Sequence, residues 1–232
     1  MTSSLHAFDT SADLARSLAD RVAGALSAAL AERGSASLAV SGGSTPKAFF
    51  KALSAAALDW PRITITLVDE RFVPPDHERS NERLVRENLM QGQAAAARFA
   101  PLYYPTASVE EAAATASKQT TGFGTPFDVV ILGMGSDGHT ASFFPGGSRL
   151  DEALDAGTPR GVMTMEAEGA GEPRLTFTFS SLADARLLVL HIEGAGKKTV
   201  LEAAEAAGPE TDMPIRAILR RAPSPVEIYW AP

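Results

Sequence analysis

Short apolar segments alternate with helical segments along most of the chain, and this alternation constrains the fold more than any other feature. The segment "SLAV" precedes the helix-like "KAFFKALSAAAL", and "ARLLVLHI" precedes "GKKTVLEAAEAA". "FDVVILGMG", which begins at Phe127, is the most strand-like segment. Parallel neighbouring strands need long crossover connections, and helices usually supply them. The pattern therefore predicts an α/β fold with a mostly parallel sheet.

Local signals place the individual elements. Apolar residues spaced by three or four positions predict a first helix from Ser11 to Arg33, with Gly34 as its stop. "ITITLVDERF" is predicted to be one strand, Ile63 to Phe72, and "SNERLVRENLM" a helix. Ser108 is the expected N-cap of the helix "SVEEAAATASKQ". "RLTFTF" alternates strictly, which favours a strand with unlike faces in an antiparallel patch.

Composition limits the class of protein. The chain has 232 residues, 45% of them hydrophobic and 21% charged, and we expect a single domain over residues 1–232. It contains no cysteine, and its four histidines lack the spacing of metal ligands, so we expect no metal site. The formal net charge of −7 argues against nucleic acid or an anionic membrane as the main partner. No apolar run reaches the length of a membrane span and the first residues lack a secretory pattern, so we expect a cytoplasmic protein.

The loop "SGGSTP", Ser41 to Pro46, follows a predicted strand and precedes a predicted helix. Gly42 and Gly43 let the backbone approach a ligand closely, while Ser44 and Thr45 offer hydroxyl groups. The helix after Pro46 directs free N–H groups at the loop, which suits a phosphate or another anion. The alternative is a plain turn with a capping hydroxyl, and the spacing of a Walker A loop is absent.

The segment "VDERF" places three charged residues directly after an apolar stretch. Arg71 can clamp a phosphate with its planar guanidinium group, and Asp69 can accept hydrogen bonds from sugar hydroxyls. A surface ion pair at the end of a strand is the competing interpretation.

Gly133, Gly135 and Gly138 form a literal G-x-G-x-x-G after the strongest predicted strand. A dinucleotide site is the obvious rival, but the segment that follows does not continue as a long helix and a second strand. His139 comes directly after the glycines, with Asp137 two residues before it. We therefore favour a histidine that moves protons over one that only caps or supports the loop.

Two further cations lie at loop junctions. Lys197 in "GAGKKTVL" stands where a strand meets a helix, so it can bind an anion together with the helix N-terminus. Arg174 opens the "RLTFTF" strand after a glycine-rich loop. Taken singly, each is equally consistent with a solvated surface charge.

Together these motifs resemble the 6-phosphogluconolactonase family. The match runs in family order over nearly the whole chain through "SGGSTP", "VDERFVP" with "SN" at Ser80 and Asn81, "LGMGSDGHTASFFPG", "RLTFTF", "GAGKKTVL" and "PIRAILR". The resemblance implies a Rossmann-like three-layer α/β/α fold, similar to that of glucosamine-6-phosphate deaminases and ribose-5-phosphate isomerases. It also implies hydrolysis of 6-phospho-D-glucono-1,5-lactone in the oxidative pentose phosphate pathway, without a cofactor and by a monomer.

The resemblance also implies roles for the residues already singled out. His139 would be the acid/base residue of a catalytic group. The other two members, Asp137 and Asp69, would bind or orient the substrate near its sugar ring. The phosphate-binding set would be Ser41, Gly42, Gly43, Ser44, Thr45, Arg71 and Lys197, with Arg174 assisting.

Three rival functions stay open on sequence alone. In the deaminase-isomerases a glutamate follows the loop histidine by five residues; Phe144 stands there in this chain and cannot relay a proton, which favours the lactonase. A non-catalytic sugar-phosphate sensor commonly carries an added DNA-binding module, for which this chain offers no basic patch. A nicotinamide oxidoreductase is the third possibility.

Overall fold

The computed structural model describes residues 3–123 and 125–232. Its strands are β1 (Ser3–Ala7), β2 (Ala36–Val40), β3 (Ile63–Leu67), β4 (Asp69–Arg71), β5 (Arg98–Phe99), β6 (Val129–Leu132), β7 (Val162–Met165), β8 (Arg174–Phe177), β9 (Leu187–Glu193) and β10 (Val226–Ala231). Its α-helices are α1 (Ser11–Arg33), α2 (Lys47–Ser54), α3 (Asn81–Asn88), α4 (Val109–Thr120), α5 (Leu150–Leu154), α6 (Phe179–Leu182), α7 (Ala195–Glu205) and α8 (Ile215–Arg221).

Seven strands form one parallel sheet in the order β1-β10-β9-β6-β2-β3-β5. All residues of the central strands β2 and β6 are buried, as expected for parallel strands covered on both faces. The prediction of an α/β fold with a mostly parallel sheet is confirmed. The order of the strands brings the loops after β9, β6, β2 and β3 to the same edge of the sheet.

A second, smaller sheet corrects one sequence prediction. The stretch Ile63 to Phe72 is not one strand: β3 belongs to the large sheet, whereas β4 pairs antiparallel with β8 in the order β4-β8-β7. The change occurs at Val68, whose N–H donates to the carbonyl of Val40 and whose carbonyl accepts from Phe177. The expected antiparallel patch at "RLTFTF" is confirmed.

Helix α1 has the predicted bounds. The Thr10 side chain accepts a hydrogen bond from the N–H of Asp13 at its start, and Gly34 ends the helix with a φ of 76°. Ser80 and Ser108 cap α3 and α4 in the same way. Helix α2 is shorter than predicted and ends at Ser54. Strands β1 and β5 and helices α5 and α6 have no counterpart in the sequence predictions.

Within the residues described, no helix is long and apolar enough to cross a membrane.

Candidate active site

A cavity of about 560 Å³ opens at the edge of the large sheet where the strands end. Every residue proposed from sequence as a site residue contributes to its wall: Ser41, Gly42, Gly43, Ser44, Thr45, Asp69, Arg71, Asp137, His139, Arg174 and Lys197. The fold thus brings five separate chain segments to one place.

The glycine loop after β6 is shaped to hold the side chains of Asp137 and His139. The N–H of Gly135 donates to the carbonyl of His139 at 2.8 Å, and Gly138 has a φ of 79°. A Cβ atom on Gly135 would lie only 2.1 Å from Nδ1 of His139 and 2.5 Å from Oδ1 of Asp137. Gly135 is therefore required because any side chain there would occupy the space of the histidine–aspartate pair.

Asp137 fixes the histidine through two hydrogen bonds. Its Oδ1 lies 2.6 Å from Nδ1 of His139 and accepts from the backbone N–H of the same residue at 3.1 Å. Burial alone would raise the pKa of Asp137, but the hydrogen bonds and charge of His139 outweigh it and lower that pKa. A charged carboxylate at Nδ1 requires the ring proton there, which leaves Nε2 as the basic nitrogen.

Phe144 connects the histidine with one of the arginines. Its buried ring lies 4.6 Å from the His139 ring, centroid to centroid, and the guanidinium carbon of Arg174 lies 5.3 Å from its centroid. A non-ionisable ring at this position gives His139 an apolar neighbour and the guanidinium group an aromatic face.

Arg71 and Arg174 form a pair of neighbouring cations. They are directly opposite each other on the antiparallel strands β4 and β8. Burial lowers the pKa of Arg174 while the charge of Asp69 opposes that effect, and Arg71 lowers it further. The Nε atoms of both arginines are buried, and neither has a hydrogen-bond partner in the part of the chain that the structure describes. Like charges in opposed positions destabilise a sheet, so this arrangement favours a bound anion.

The loop from Ser41 to Pro46 joins β2 to α2 and packs against α3. Gly43 has a φ of 94°, and a Cβ atom on Gly42 would lie 1.9 Å from Oδ1 of Asn81. Among the residues described, no side chain caps the first turn of α2, so its N–H groups remain available to a ligand. The loop has the features expected of an anion site.

Lys197 lies in the first turn of α7 and is half-buried. Burial lowers the pKa of Lys197, and the nearby charge of Asp137 opposes that effect. A desolvated ammonium group beside a helix N-terminus attracts anions.

Asp69 is buried, and its Oδ2 accepts a hydrogen bond of 2.5 Å from the hydroxyl of Ser142. Its backbone carbonyl accepts from Nδ2 of Asn81 at 2.9 Å. The next residue, Glu70, accepts hydrogen bonds from three backbone N–H groups at the start of α3 and in β4 and from the hydroxyl of Ser80. Burial raises the pKa of Glu70 to about 7.

Comparison with known proteins identifies the family. A family model described as "Glucosamine-6-phosphate isomerases/6-phosphogluconolactonase" matches residues 9–230. A 6-phosphogluconolactonase of Rhizobium meliloti (strain 1021) is 66% identical over 232 residues, which covers 100% of both chains. The chain belongs to this family. A 6-phosphogluconolactonase of Pseudomonas aeruginosa is 48% identical and covers 98% of this chain and 94% of that protein.

Solved structures of the family share the architecture. A crystal structure of a 6-phosphogluconolactonase from Shewanella baltica OS155 superimposes with a TM-score of 0.96 at 39% identity and covers 100% of this chain and 98% of that one. A monomeric glucosamine-6-phosphate deaminase gives a TM-score of 0.79 at 17% identity, covering 98% and 96%. The second likeness shows a common fold alone, and it agrees with the expected similarity in fold to the deaminases.

Sequence reasoning missed several residues that line this cavity. His191 and Glu193 at the end of β9 line the cavity, as do Asn81, Phe144 and Glu168. In the sequence, Asn81 belongs to a family motif and Phe144 marks a departure from the deaminases, but neither signal predicts a place in the cavity. His191 had no usable signal, because it lies inside an apolar strand segment. Glu168 lies in a flexible-looking loop, where an acidic residue is ordinary.

Proposed function

We propose that this chain hydrolyses 6-phospho-D-glucono-1,5-lactone to 6-phospho-D-gluconate, a step of the oxidative pentose phosphate pathway. The observation that carries the proposal is one cavity that holds the His139–Asp137 pair and an opposed arginine pair, in a chain that is 66% identical to a 6-phosphogluconolactonase. The arginines suit the phosphate of the substrate, and the histidine suits its ester carbon.

His139 acts as the general base. Its Nε2 takes a proton from water while the water oxygen attacks C1 and the carbonyl electrons move to the carbonyl oxygen. The tetrahedral oxyanion then collapses, the bond from C1 to the ring oxygen breaks, and the imidazolium returns its proton to that oxygen. The resulting carboxylic acid loses its proton to water. A δ-lactone is an activated ester, so a covalent nucleophile is not needed.

Backbone N–H groups stabilise the oxyanion. The N–H groups of Gly135 and Gly138 already donate within the glycine loop and that of His139 donates to Asp137, so the remaining N–H groups of that loop are the expected donors. Asp137 keeps the imidazole in the required tautomer and stabilises the imidazolium once it forms. Asp69, held by Ser142, accepts a hydrogen bond from the sugar ring.

The phosphate lies among the cations. Arg71 and Lys197 bind it together with the loop Ser41 to Thr45, and Arg174 assists. The support for this assignment is that all three cations line the same cavity as the loop, and that α2 begins without a side-chain cap in the described structure.

The protein works as a single lactonase domain and a monomer in the cytoplasm, with neither metal nor organic cofactor, and without nucleic acid or membrane partners. One continuous cluster of buried apolar residues, from Leu14 to Ala231, supports the single domain.

A blank-corrected assay of lactone hydrolysis tests the proposal. The wild-type protein is expected to accelerate the opening of 6-phosphogluconolactone well above the spontaneous rate in buffer. Release of ammonia from glucosamine 6-phosphate would instead identify a deaminase. Binding of 6-phosphogluconate without turnover would indicate a sensor, and quenching or enhancement of NAD(P)H fluorescence an oxidoreductase.

A further inference from the structure

The cavity contains a second histidine–carboxylate pair, which the mechanism above does not use. His191 lies near the end of β9, and its Nε2 is 3.0 Å from Oε1 of Glu193. The hydrogen bond from His191 is the main reason that the pKa of Glu193 lies below its usual value, and the Ser11 hydroxyl contributes in the same direction. Because Glu193 is therefore a charged acceptor, Nε2 of His191 must carry a proton.

The other ring nitrogen is available to a ligand. Nδ1 of His191 has no hydrogen-bond partner among residues 3–123 and 125–232, and unlike the Nε atoms of Arg71 and Arg174 it is not fully buried. The side chain is only 2% exposed, and His191 is one of the residues that line the cavity. The ring is held edge-on against Phe49, at 6.1 Å between centroids. A ring in the cavity wall that has little freedom to turn and one nitrogen without a partner in the described structure is suited to bind a ligand from the cavity.

The position of the ring is beside the expected phosphate subsite. Phe49 belongs to the first turn of α2, directly after the loop from Ser41 to Pro46. Lys197 lies in the first turn of α7, which begins two residues after Glu193. His191 therefore lies near the starts of two helices, both without side-chain caps and both favourable to anions.

The charges of the cavity wall call for one more cation. The wall has three cations with fixed charge, Arg71, Arg174 and Lys197, and four carboxylates, Asp69, Asp137, Glu168 and Glu193. A phosphate monoester has close to two negative charges at neutral pH. A proton on Nδ1 of His191 would balance Glu193 and add a donor for the anion.

We propose that His191 binds the phosphoryl group of the substrate through Nδ1–H as an imidazolium whose charge Glu193 balances. This proposal rests on the function given above, and it assigns His191 to substrate binding rather than to the chemical step. The groups around the ring are Glu193 on the same strand and Tyr229 at the paired position of β10, and Lys197 on α7 lines the same cavity. Helix α1 contributes the Ser11 hydroxyl and α2 the Phe49 ring.

Two substitutions distinguish the contributions of the two ring nitrogens of His191. In His191→Gln the amide reaches the position of Nε2 and keeps the contact with Glu193, but nothing replaces Nδ1. In His191→Asn the amide reaches the position of Nδ1 instead. We expect His191→Gln to raise KM for the phosphorylated lactone about 10-fold or more with kcat nearly unchanged, because a charge-assisted hydrogen bond is lost. His191→Asn should restore part of that loss.

Glucono-1,5-lactone, which lacks the phosphate, provides the deciding control. Its kcat/KM should be the same in wild type and His191→Gln. An equal loss for both lactones would overturn the proposal in favour of a hydroxyl contact or a structural role. An unchanged KM for the phosphorylated lactone would show that the ring does not touch the substrate.

A measurement on the unaltered protein covers the case in which the variants fold poorly. Addition of inorganic phosphate should move the ¹⁵N shift of Nδ1 in His191 toward that of an imidazolium. No change at saturating phosphate would refute the proposal. If the wild-type protein failed to hydrolyse the lactone at all, the proposed function would be refuted. The phosphate titration would still test whether His191 binds phosphate.

Discussion

The two histidine–carboxylate pairs of the cavity have the same chemical parts and opposite surroundings. The Asp137–His139 pair is on a glycine loop, and its imidazole is 32% exposed. The His191–Glu193 pair is on a strand of the large sheet, and its imidazole is 2% exposed. In both, one ring nitrogen faces a carboxylate at two residues' distance in sequence. A loop leaves the second nitrogen open to water and substrate, whereas a strand fixes it in one direction.

The comparison teaches that residue type alone does not assign a role. A general base must exchange protons with water and rearrange its hydrogen bonds during turnover. A binding group gains from rigidity, because less conformational freedom is lost when the ligand arrives. The backbone under each histidine therefore suits it to a different task.

The largest expected effect is on the loop pair. His139→Ala should lower kcat by about 10²–10⁴-fold, since general acid–base help of that size is removed. KM should change little, because the phosphate contacts stay in place. Steady-state kinetics with a buffer blank measure both constants. Full turnover by this variant would remove the distinction between the two pairs.

Gly135→Ala tests whether the loop shape creates the pair. The added Cβ would lie 2.1 Å from Nδ1 of His139, so the ring must leave its position. We expect kcat to fall on the order of 10²-fold, the cost of a displaced catalytic group. Gly24→Ala in α1 is the matched control: its Cβ has nothing within 4 Å, and activity should be unchanged. Normal kinetics for Gly135→Ala would contradict the assigned geometry.

Arg71→Ala should reproduce the behaviour expected of a binding group. Loss of a charge-assisted contact to phosphate should raise KM by about 10- to 100-fold while kcat stays within a few-fold. Arg83→Ala, an exposed arginine paired with Glu87 on α3, is the control and should leave KM unaltered. A fall in kcat with constant KM would move Arg71 from substrate binding to the chemical step.

The smallest expected effect concerns acid stability at the strand pair. The folded-state pKa of Glu193 is lowered from 4.5, mainly by His191, so its charge stabilises the protein above the unfolded pKa and this stability is lost as pH falls through the folded pKa. Glu193→Gln should therefore show a shallower loss of unfolding free energy than wild type between about pH 5 and pH 3. Carboxyl ¹³C titration measures the pKa of Glu193 directly. In His191→Gln that pKa should rise only if the Gln amide is a weaker hydrogen-bond partner than the imidazole. An ordinary pKa for Glu193 in the wild-type protein would contradict the pairing.

Much of the fold could be predicted because its signals are local. The apolar spacing and Gly34 gave the bounds of α1, and the capping serines gave the starts of α3 and α4. The break at Val68 could not be foreseen, since it depends on pairing with Val40 and Phe177, which are distant in sequence. Strand β1 was missed because its five residues are all exposed and carry no apolar alternation.

The site divides in the same way. Residues in glycine-rich or charged loops at strand ends could be found, because such loops have few structural reasons for their composition. His191 could not, because it lies inside an apolar strand segment, and Ser142 could not, because only the fold brings it to Asp69.

Val68 has a consequence for the choice of substrate. This one residue bonds to both sheets: its N–H donates to Val40 at the end of β2, just before Ser41, and its carbonyl accepts from Phe177 on β8, the strand that carries Arg174. The distance between the loop from Ser41 to Pro46 and the guanidinium groups of Arg71 and Arg174 is thus set by hydrogen-bonded backbone rather than by flexible side chains. A ligand must match that fixed span from end to end, so molecular length becomes a criterion of selection in its own right.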